Sequence, residues 1–591
     1  MKKYKVLKRF LVWRLRHVND RQFMLIMSAV IGILVGTAAV IIKNSVHFIQ
    51  GFLTSNFATE YENYSYIIFP AIGILIALLF IKLVIRQHVG HGIPSVLFAI
   101  SKTRGVIKQH NIFSSIITST FTVGFGGSVG LEGPTVATGA AIGSNLGRLF
   151  HLNYKQIMLL LGVACAASMA AIFKSPVAAI VFAIEIIMID LTLASVVPLL
   201  IASSIAVLTS YFFLGQAVLY PSQITEGFLL KDIPYYILLG VMAGLVSVYF
   251  TKMYIFVESK FSKIKSWVKR LAIGGTILGI LIFFFPALYG EGYGAINSAL
   301  SGDVSSLYNN SIFYSLKDNI GIIFILFIGI IFFKAVATAV TFGAGGIGGI
   351  FAPTLFLGAF TGLFYAQLIN YFEIGNLMES NFALVGMGGL IAGVLHGPLT
   401  AIFLIAEITG GYQLFVPLMV TATISYATIK IFVKNSVYTY QLAKRGHLIT
   451  HHKDRAVLSM MSVSKLIERN FHTINPEQSL GDLVKLISES NRNIYPVIDN
   501  EDNFKGIIRL DDIRKIMFKT ELYDLTTVAS IMVTPVVTID PEESMEAVAK
   551  KFMDSGKYNI VVLKDGQYLG FISRAKVFAK YRSLQKYFSD D

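Results

Sequence analysis

The sequence predicts a multi-span α-helical membrane protein that carries a soluble α/β domain at its C-terminal end. Of the 591 residues, 54% are hydrophobic and only 14% are charged, whereas soluble domains carry about a quarter charged residues. The mean hydropathy is +0.65. A chain this apolar has more apolar side chain than a soluble core can enclose, whereas a bilayer solvates apolar side chains directly. The single cysteine, Cys165, lies in an apolar run, which excludes a disulfide-rich secreted protein.

A basic segment, residues 1–22, precedes the first apolar run. It contains eight Lys or Arg residues and one acidic residue, Asp20. Positive charges beside membrane spans favour the cytoplasmic side, so we expect a cytoplasmic N-terminal segment that contacts anionic lipid. Because the basic residues lie next to spans, the net charge of +15 indicates a bilayer and no nucleic-acid partner.

Ten apolar segments of unequal length follow. Several are too short to cross a bilayer of about 30 Å at about 1.5 Å per residue, and others are interrupted by Gly, Pro or a charge. Broken helices at membrane depth are tolerated where the backbone is buried in protein or lines an aqueous cavity, which favours a transporter or channel over an anchor. The segments are 24–42, 67–81, 157–187, 191–214, 236–250, 273–288, 320–340, 351–369, 382–408 and 415–432.

Near residue 450 the composition changes to mixed charge with short apolar runs, so we assign residues 23–449 to a membrane domain and residues 450–591 to a cytoplasmic domain. The latter contains a repeat: Thr-Ile-Asn-Pro-Glu at 473–477 returns as Thr-Ile-Asp-Pro-Glu 65 residues later. Each copy is predicted as strand, helix, strand (495–498 and 560–563), turn, strand and helix. This pattern resembles a tandem pair of CBS domains.

The membrane domain repeats as well. Two glycine turns that end in Pro-Thr are 219 residues apart, and two segments with Pro and Glu nine residues apart are offset by 222. Paired interrupted segments in corresponding halves indicate a binding site near the midplane of a transporter built from two repeats. Helix packing alone would explain the glycines but not the shared Pro and Glu positions. The pairs begin at Gly130 and Gly349, and at Pro176 and Pro398.

Three glycine turns each end in a proline that opens an apolar segment. Proline suits the first helical turn because no backbone donor is needed from it there. The preceding N–H groups are unpaired and carry the positive end of the helix dipole, so converging starts would bind an anion without a fixed cation. An ion held by dipoles can also leave, and we predict a small anion as the cargo. The turns are Gly90-His-Gly-Ile-Pro94, Gly130-Leu-Glu-Gly-Pro134 and Gly349-Ile-Phe-Ala-Pro353.

Glu132, inside the second turn, is the predicted gate. Its carboxylate can occupy the position of the anion when ionised, and leave when it is protonated or displaced. An ionisable residue at membrane depth is a functional candidate by default. A glutamate that only caps its own helix start would use the same amides, so this plainer role is compatible with the gate.

Together with Tyr438 in Ser-Val-Tyr-Thr-Tyr-Gln-Leu and the CBS pair, the three turns resemble the CLC family of chloride channels and proton/chloride exchangers. The resemblance covers nearly the whole chain. It implies the CLC fold with two inverted-topology repeats, and a homodimer with one pore per subunit. We expect an integral protein of a prokaryotic inner membrane with both termini in the cytoplasm.

The family also implies roles for individual residues. Glu132 matches its gating glutamate. Two anion positions would be formed largely by backbone amides. The matching residues are Ile350, Phe351 and the Tyr438 hydroxyl for the central anion, Leu131, Gly133 and Ala352 for the outer anion, and His91 and Gly92 in the first turn.

The first two turns depart from the family at two positions. Where the family usually has a serine whose hydroxyl contacts the central ion, this chain has His91. Its imidazole, which titrates near physiological pH, would tune selectivity or add pH dependence; alternatively, only its backbone contributes, and both interpretations stay open. Where the family often has Arg, this chain has Leu131, so we expect lower conductance or a different pH response unless the leucine simply packs.

A third departure separates the two activities of the family. Its exchangers typically pass protons through a second, inward glutamate, and the matching position here is Ile186, which cannot carry a proton. Glu185 and Glu407 are expected to satisfy buried backbone or a dimer contact instead. The sequence therefore favours passive chloride conduction; proton-coupled exchange, with water supplying the proton route, is the alternative.

Other functional classes account for the sequence less well. A CBS-containing membrane protease would need His-Glu-x-x-His, and the chain contains no His-Glu dipeptide. A cation transporter would line its pore with acids or carbonyls, not with one Glu beside proline-capped helix starts. We therefore expect a transport protein, not an enzyme, without a metal site.

An adenine nucleotide at the CBS pair is the one cofactor that the resemblance leaves open. Nucleotide-binding members usually carry Thr or Ser and, three residues later, Asp for the ribose. The first copy has Arg509 and Asp512 and the second has Ser573 and Lys576, so each retains half of the pair. The alternative is a scaffold that stiffens the dimer.

Overall fold

The computed structural model describes residues 2–87, 89–90, 92–188, 193–216, 227–301, 320–444, 458 and 461–589. The chain divides into two compact units, Met1–Leu448 and Ile449–Asp591. The first is helical and the second is α/β, so the predicted fold class is confirmed.

The first unit is built from helices because an apolar sequence in lipid must pair its backbone polar groups within each segment. Among the described residues, nine helices are long and apolar enough to cross a membrane. The helices are α1 Lys2–His17, α2 Asp20–Leu79, α3 Ile93–Lys102, α4 Asn111–Gly124, α5 Glu132–Leu149, α6 Tyr154–Phe173, α7 Pro176–Glu185, α8 Leu193–Leu214, α9 Ile233–Ser262, α10 Trp267–Phe284, α11 Tyr293–Leu300, α12 Ile320–Ala344, α13 Phe351–Tyr371, α14 Glu379–Leu395, α15 Pro398–Ile408, α16 Phe415–Phe432 and α17 Val437–Lys444.

The segments 24–42 and 67–81, which are predicted as separate spans, belong to one long helix, α2. Residues 43–66 between them are more polar but contain one Gly and no Pro, so no residue in this stretch forces the helix to end. A π-helical segment, Phe80–Ile85, continues α2.

Two other predicted segments, 157–187 and 382–408, each divide into two helices. The breaks fall at Lys174 and His396, whose backbones are left-handed with φ of 57° and 59°. Each is followed two residues later by the proline that opens the next helix, Pro176 or Pro398. Proline disfavours the α conformation of the residue before it. This explains why both segments break at equivalent positions, 222 residues apart.

Helices α5, α6, α13 and α14 form the interior of the first unit, and most of their side chains are buried. Small residues bring the backbones of α13 and α14 into direct contact. A Cβ at Gly362 would lie 2.0 Å from the carbonyl oxygen of Phe382, so only glycine fits. This packing fixes the direction of α13, whose first turn belongs to the candidate site.

The second unit contains two copies of the predicted strand-helix-strand pattern. The predicted strands 495–498 and 560–563 are confirmed within β1 and β4. The elements are α18 Val463–Leu466, α19 Leu480–Ser488, β1 Ile494–Ile498, β2 Phe504–Arg509, α20 Leu510–Ile513, α21 Val528–Ile531, β3 Thr538–Ile539, α22 Met545–Ser555, β4 Asn559–Lys564, β5 Gln567–Ser573 and α23 Arg574–Ser589.

The two sheets of this unit have related topology. In the second copy β4 is central, parallel to β3 and antiparallel to β5, with Asn559 opposite Ser573. In the first copy β1 is antiparallel to β2, and the parallel partner is reduced to one bridge between Ile474 and Val497.

The helices begin at local caps. At α19 the backbone amide and hydroxyl of Ser479 donate to the Asp482 carboxylate and hold its pKa below the ordinary value.

Candidate functional site

The three glycine turns meet inside the first unit. Gly130 and Gly349 exchange two backbone hydrogen bonds, with N–O distances of 2.8 and 2.7 Å. The first turn joins them, because a Cβ at Gly92 would lie 2.8 Å from the Cα of Gly133. At such distances a side chain would separate the turns, so glycine permits their close approach.

Helices start at all three turns, as predicted: α3 at Ile93, α5 at Glu132 and α13 at Phe351. The first amides of a helix have no intrahelical acceptor, and they carry the positive end of the helix dipole. Two of the three helices are long and deeply buried, so water does not screen these amides. The convergence creates a concentration of N–H donors that suits an anion.

A cavity of about 370 Å³ opens between these starts. The hydroxyl of Tyr438 is buried and, among the described residues, has no hydrogen-bond partner. A buried donor without a partner is costly, and an anion in the cavity would satisfy it. The lining residues are Gly90, Ile93, Pro94, Ser95, Phe98, Gly133, Tyr254, Phe342, Gly348, Gly349, Ile350, Val437, Tyr438 and Leu442.

Glu132 is fully buried where the second and third turns meet. Its Oε1 accepts a hydrogen bond of 2.6 Å from the Tyr293 hydroxyl. Its Oε2 faces the turns, since a Cβ at Gly349 would lie 3.3 Å from it. The amides of Glu132 and Ala352 point toward the carboxylate, although Oε2 lacks a hydrogen bond of normal geometry among the described residues. The carboxylate thus lies at an amide expected to bind the outer anion.

The other predicted anion-binding residues are distributed over the same junction. Ile350 and Phe351 form the N-terminal boundary and first position of α13, and both are buried. Gly133 contributes to the cavity. Gly92 precedes α3 with a left-handed φ of 61°. His91 lies outside the described residues. Ser95, in the first helical turn of α3, lines the cavity, and its hydroxyl donates to the Gly92 carbonyl at 2.6 Å.

The Leu131 amide has a partner that the sequence analysis missed. It donates to Oε1 of Glu291 at 3.2 Å, and the leucine side chain is buried in the core. Lys43 interacts electrostatically with both Glu132 and Glu291, and the fully buried Lys334 interacts with Glu291. The available signal was a charge inside an apolar run at Lys334 and directly after one at Lys43, since an ionisable residue at membrane depth marks a functional candidate.

Ile186 is buried at the C-terminal end of α7, and its side chain has no titratable group. The neighbouring Glu185 accepts from the amides of Leu399 and Thr400 at the start of α15, at 3.1 and 2.7 Å. In the opposite direction, Glu407 accepts from the amides of Val177 and Ala178 at the start of α7. The two carboxylates therefore cap each other's helices, and the expectation that they satisfy buried backbone is confirmed.

The two candidate nucleotide residues of the second unit make local contacts. Asp512 pairs with Arg509 at 3.9 Å. The hydroxyl of Ser573 donates to Glu468 at 2.6 Å and accepts from the Lys576 amide. Ser573 ends β5, as Arg509 ends β2, whereas Asp512 lies three residues beyond the end of its strand. The two residues are therefore different halves of the nucleotide pair, one in each copy.

Comparison with known proteins identifies the family. The sequence pattern described as "Voltage gated chloride channel" matches residues 72–430, well over half of the chain. The chain belongs to the voltage gated chloride channel, or CLC, family. The CBS domain pattern matches twice, at residues 463–519 and 528–582, which confirms the tandem pair.

CLC relatives with curated names include both channels and exchangers. A protein of Vibrio campbellii named H(+)/Cl(-) exchange transporter ClcA is 29% identical over 71% of this chain and 88% of its own length. A protein of Escherichia coli named voltage-gated ClC-type chloride channel ClcB is 28% identical over 56% of this chain and 75% of its own. As a family member with many apolar helices and bacterial relatives, this CLC chain is a membrane protein.

Solved CLC structures share the fold. A slow cyanobacterial Cl−/H+ antiporter superposes with a TM-score of 0.61 at 23% identity, over 72% of this chain and 98% of the other. A eukaryotic CLC transporter superposes with the same TM-score of 0.61 at 16% identity, over 94% and 97% of the two chains. The CLC fold predicted from the glycine turns is therefore confirmed.

Proposed function

We propose that this CLC protein exchanges chloride for protons, with Glu132 as the group that couples the two ions. The observation that carries the proposal is the buried Glu132 carboxylate, directed at the Ala352 amide where three helix starts meet. The sequence had favoured a passive channel because of Ile186. The names of relatives support the alternative better, since several are H(+)/Cl(-) exchange transporters, including those of Vibrio campbellii and Klebsiella pneumoniae.

The proposed cycle follows from competition for the same amides. Ionised Glu132 occupies the outer anion position and excludes chloride. Protonation removes its charge, so the side chain leaves and chloride binds the amides of Leu131, Gly133 and Ala352. Chloride then advances to the central position, held by the amides of Ile350 and Phe351 and by the Tyr438 hydroxyl. Release of the proton returns the carboxylate to its amides and closes the path.

The proton needs a route on the inner side that does not use residue 186. The cavity of about 370 Å³ between the three helix starts is large enough for several waters. Ser95 and Tyr438 offer hydroxyl groups along its wall. We propose that water in this cavity carries the proton. His91 lies four residues before Ser95 in the sequence, and its imidazole would add a titratable group to this route.

The remaining assignments follow the family. We propose a homodimer in a prokaryotic inner membrane, with residues 1–22 and 450–591 in the cytoplasm and residues 23–449 forming the transport domain. In the CBS pair we favour a scaffold over nucleotide binding, because the Ser573 hydroxyl is bonded to Glu468 and Asp512 is paired with Arg509.

Purified protein in liposomes tests the exchange. A chloride gradient is imposed and the internal pH is followed with a dye. Exchange predicts proton movement against its own gradient, driven by chloride, and its loss in Glu132→Gln. Chloride flux without proton movement would instead establish the second candidate, the passive channel that Ile186 favours. Absence of chloride flux would contradict both.

Two further measurements address the assembly and the CBS pair. Light scattering of the detergent-solubilised protein should give the mass of two chains. Isothermal titration of the full chain with ATP, AMP and a cyclic dinucleotide should give no heat if the pair is a scaffold. Heat with any of them, abolished by Asp512→Ala or Ser573→Ala, would establish a nucleotide site.

A further inference from the structure

The loop before α11 is fixed against the turn that carries Glu132. Lys334 Nζ donates to the carbonyls of Leu288 and Gly290, at 3.4 and 3.2 Å. The Gly290 amide donates to the Gly126 carbonyl at 3.3 Å, and the Tyr289 hydroxyl donates to the Gly124 carbonyl at 3.0 Å. The loop is therefore anchored at the three residues that precede Glu291, namely Leu288, Tyr289 and Gly290.

Two carboxylates meet at the outer amides. Glu291 Oε1 accepts from the Leu131 amide at 3.2 Å, while Glu132 lies at the Ala352 amide. The same loop contacts Glu132 directly, through the Tyr293 hydroxyl at 2.6 Å. Both amides are among those expected to bind the outer anion, so each carboxylate blocks a different part of one site.

Two lysines oppose the mutual repulsion of the Glu132 and Glu291 carboxylates. Lys43 attracts both, and Lys334 attracts Glu291. Lys334 is fully buried and lies over the Phe356 ring at 4.6 Å, so it is not screened by bulk water. Burying a lysine this deeply is costly, and Glu291 beside it is half-buried. A mere loop anchor would not need the charge, because an uncharged acceptor would also hold the Leu131 amide.

We propose that Glu291 is a second carboxylate gate at the outer end of the anion pathway, acting in series with Glu132. When ionised, it holds the Leu131 amide and repels incoming anions. Chloride reaches the outer position when Glu291 withdraws, and Lys43 and Lys334 retain the displaced carboxylate nearby. This inference rests on the proposed function, because it requires the Leu131 amide to belong to an anion site.

The test is the chloride dissociation constant of the purified full-length protein, measured by isothermal titration with KCl. Glu291→Gln removes the charge and keeps an acceptor; Glu291→Ala also frees the amide. Both should bind chloride about tenfold more tightly than wild type, the size expected when one nearby competing charge is removed. Glu379→Gln is the matched control. Glu379 is the first residue of α14, and its carboxylate accepts a hydrogen bond from the Gln367 side chain.

A purely structural role predicts the opposite pattern. Glu291→Gln would bind like wild type, and Glu291→Ala would loosen the loop and weaken binding. Glu291→Asp, which keeps the charge but is one carbon shorter, serves if the other variants do not fold, and its affinity should exceed that of wild type. Dissociation constants equal to that of Glu379→Gln in all folded variants would overturn the second gate.

Parallel titration of wild type and Glu132→Gln separates the two proposals. If neither binds chloride, the proposed function fails. If Glu132→Gln tightens binding while the Glu291 variants do not, the transport assignment stands and only the second gate is lost.

Discussion

The two halves of the membrane unit share a backbone arrangement but differ in the side chains at the anion pathway. Gly130 and Gly349 bond to each other symmetrically, and each begins a turn that opens a buried helix. At the first helical position the first half has Glu132 and the second has Phe351. Phe351 instead packs against Phe173, with ring centroids 5.2 Å apart.

Outside the turns the symmetry extends to side chains. Glu185 caps the helix that carries Glu407, and Glu407 caps the helix that carries Glu185. The repeat thus supplies one buried helix start in each half, whereas the carboxylate at the first helical position is present in one half alone. We expect this carboxylate to make chloride transport respond to protons.

The largest effect is expected when the carboxylate that only the first half has is removed. Glu132→Gln or Glu132→Ala leaves neither half with a carboxylate at the first helical position of its turn, so chloride flux should continue while coupled proton transport falls below detection. Flux and internal pH in liposomes measure this, with Glu379→Gln as the control. Wild-type pH dependence in both Glu132 variants would refute the gate.

A second prediction concerns Tyr438, whose hydroxyl the second half supplies to the cavity. Tyr438→Phe deletes its hydroxyl, and a hydrogen bond to a charged group contributes about 1.5–3 kcal/mol. Chloride binding measured by isothermal titration should weaken about tenfold or more. Tyr365→Phe removes another buried hydroxyl that has no partner among the described residues and lies outside the cavity lining. Equal affinities for the two variants would contradict the assignment.

The helix caps formed by Glu185 and Glu407 should differ in how much they stabilise the protein. Glu185 accepts an additional bond of 2.7 Å from the Thr400 hydroxyl, whereas Glu407 accepts, among the described residues, from the amides of Val177 and Ala178. We expect Glu185→Gln to lower stability by about 2 kcal/mol and Glu407→Gln by about 1 kcal/mol. Thermal unfolding in detergent compares them. Thr400→Val should affect stability less in the Glu185→Gln background than in wild type, and additive losses would refute the shared bond.

The smallest expected effect lies at the two helix breaks. Lys174 and His396 both adopt left-handed backbones, which cost non-glycine residues about 1–2 kcal/mol, partly offset by the larger freedom of unfolded glycine. Lys174 also donates to the Gly215 carbonyl at 2.7 Å, whereas the buried His396 Nε2 has no partner among the described residues. His396→Gly should therefore raise the unfolding temperature slightly and Lys174→Gly should not. The reverse order would contradict this account.

Much of the fold could be predicted because its signals are local. The helix starts at Glu132 and Phe351 follow from glycine turns that end in proline, and the breaks near Pro176 and Pro398 follow from proline geometry. The strands of the CBS pair follow from short apolar runs. Helix α2 could not be predicted as one element, because the sequence between its two apolar parts lowers hydropathy without stopping a helix.

The candidate site could be predicted only where the family motifs reach. Glu132 and Tyr438 lie in such motifs, whereas Glu291 contacts Leu131 across 160 residues and Tyr293 contacts Glu132 across 161. No spacing rule connects positions so distant. The sequence shows Lys334 as a charge inside an apolar run and Lys43 as a charge at the end of one, but it does not show their partners.

The sequence by itself determined the helical membrane class, the repeated turns and the carboxylate between them, since each depends on neighbouring residues and on the bilayer as solvent. Only the tertiary structure decided which atoms face those amides. Buried charges choose partners by distance in a medium that screens them weakly, and that distance exists only after the helices have packed. Glu291 on the Leu131 amide and the mutual caps of Glu185 and Glu407 are features of this kind.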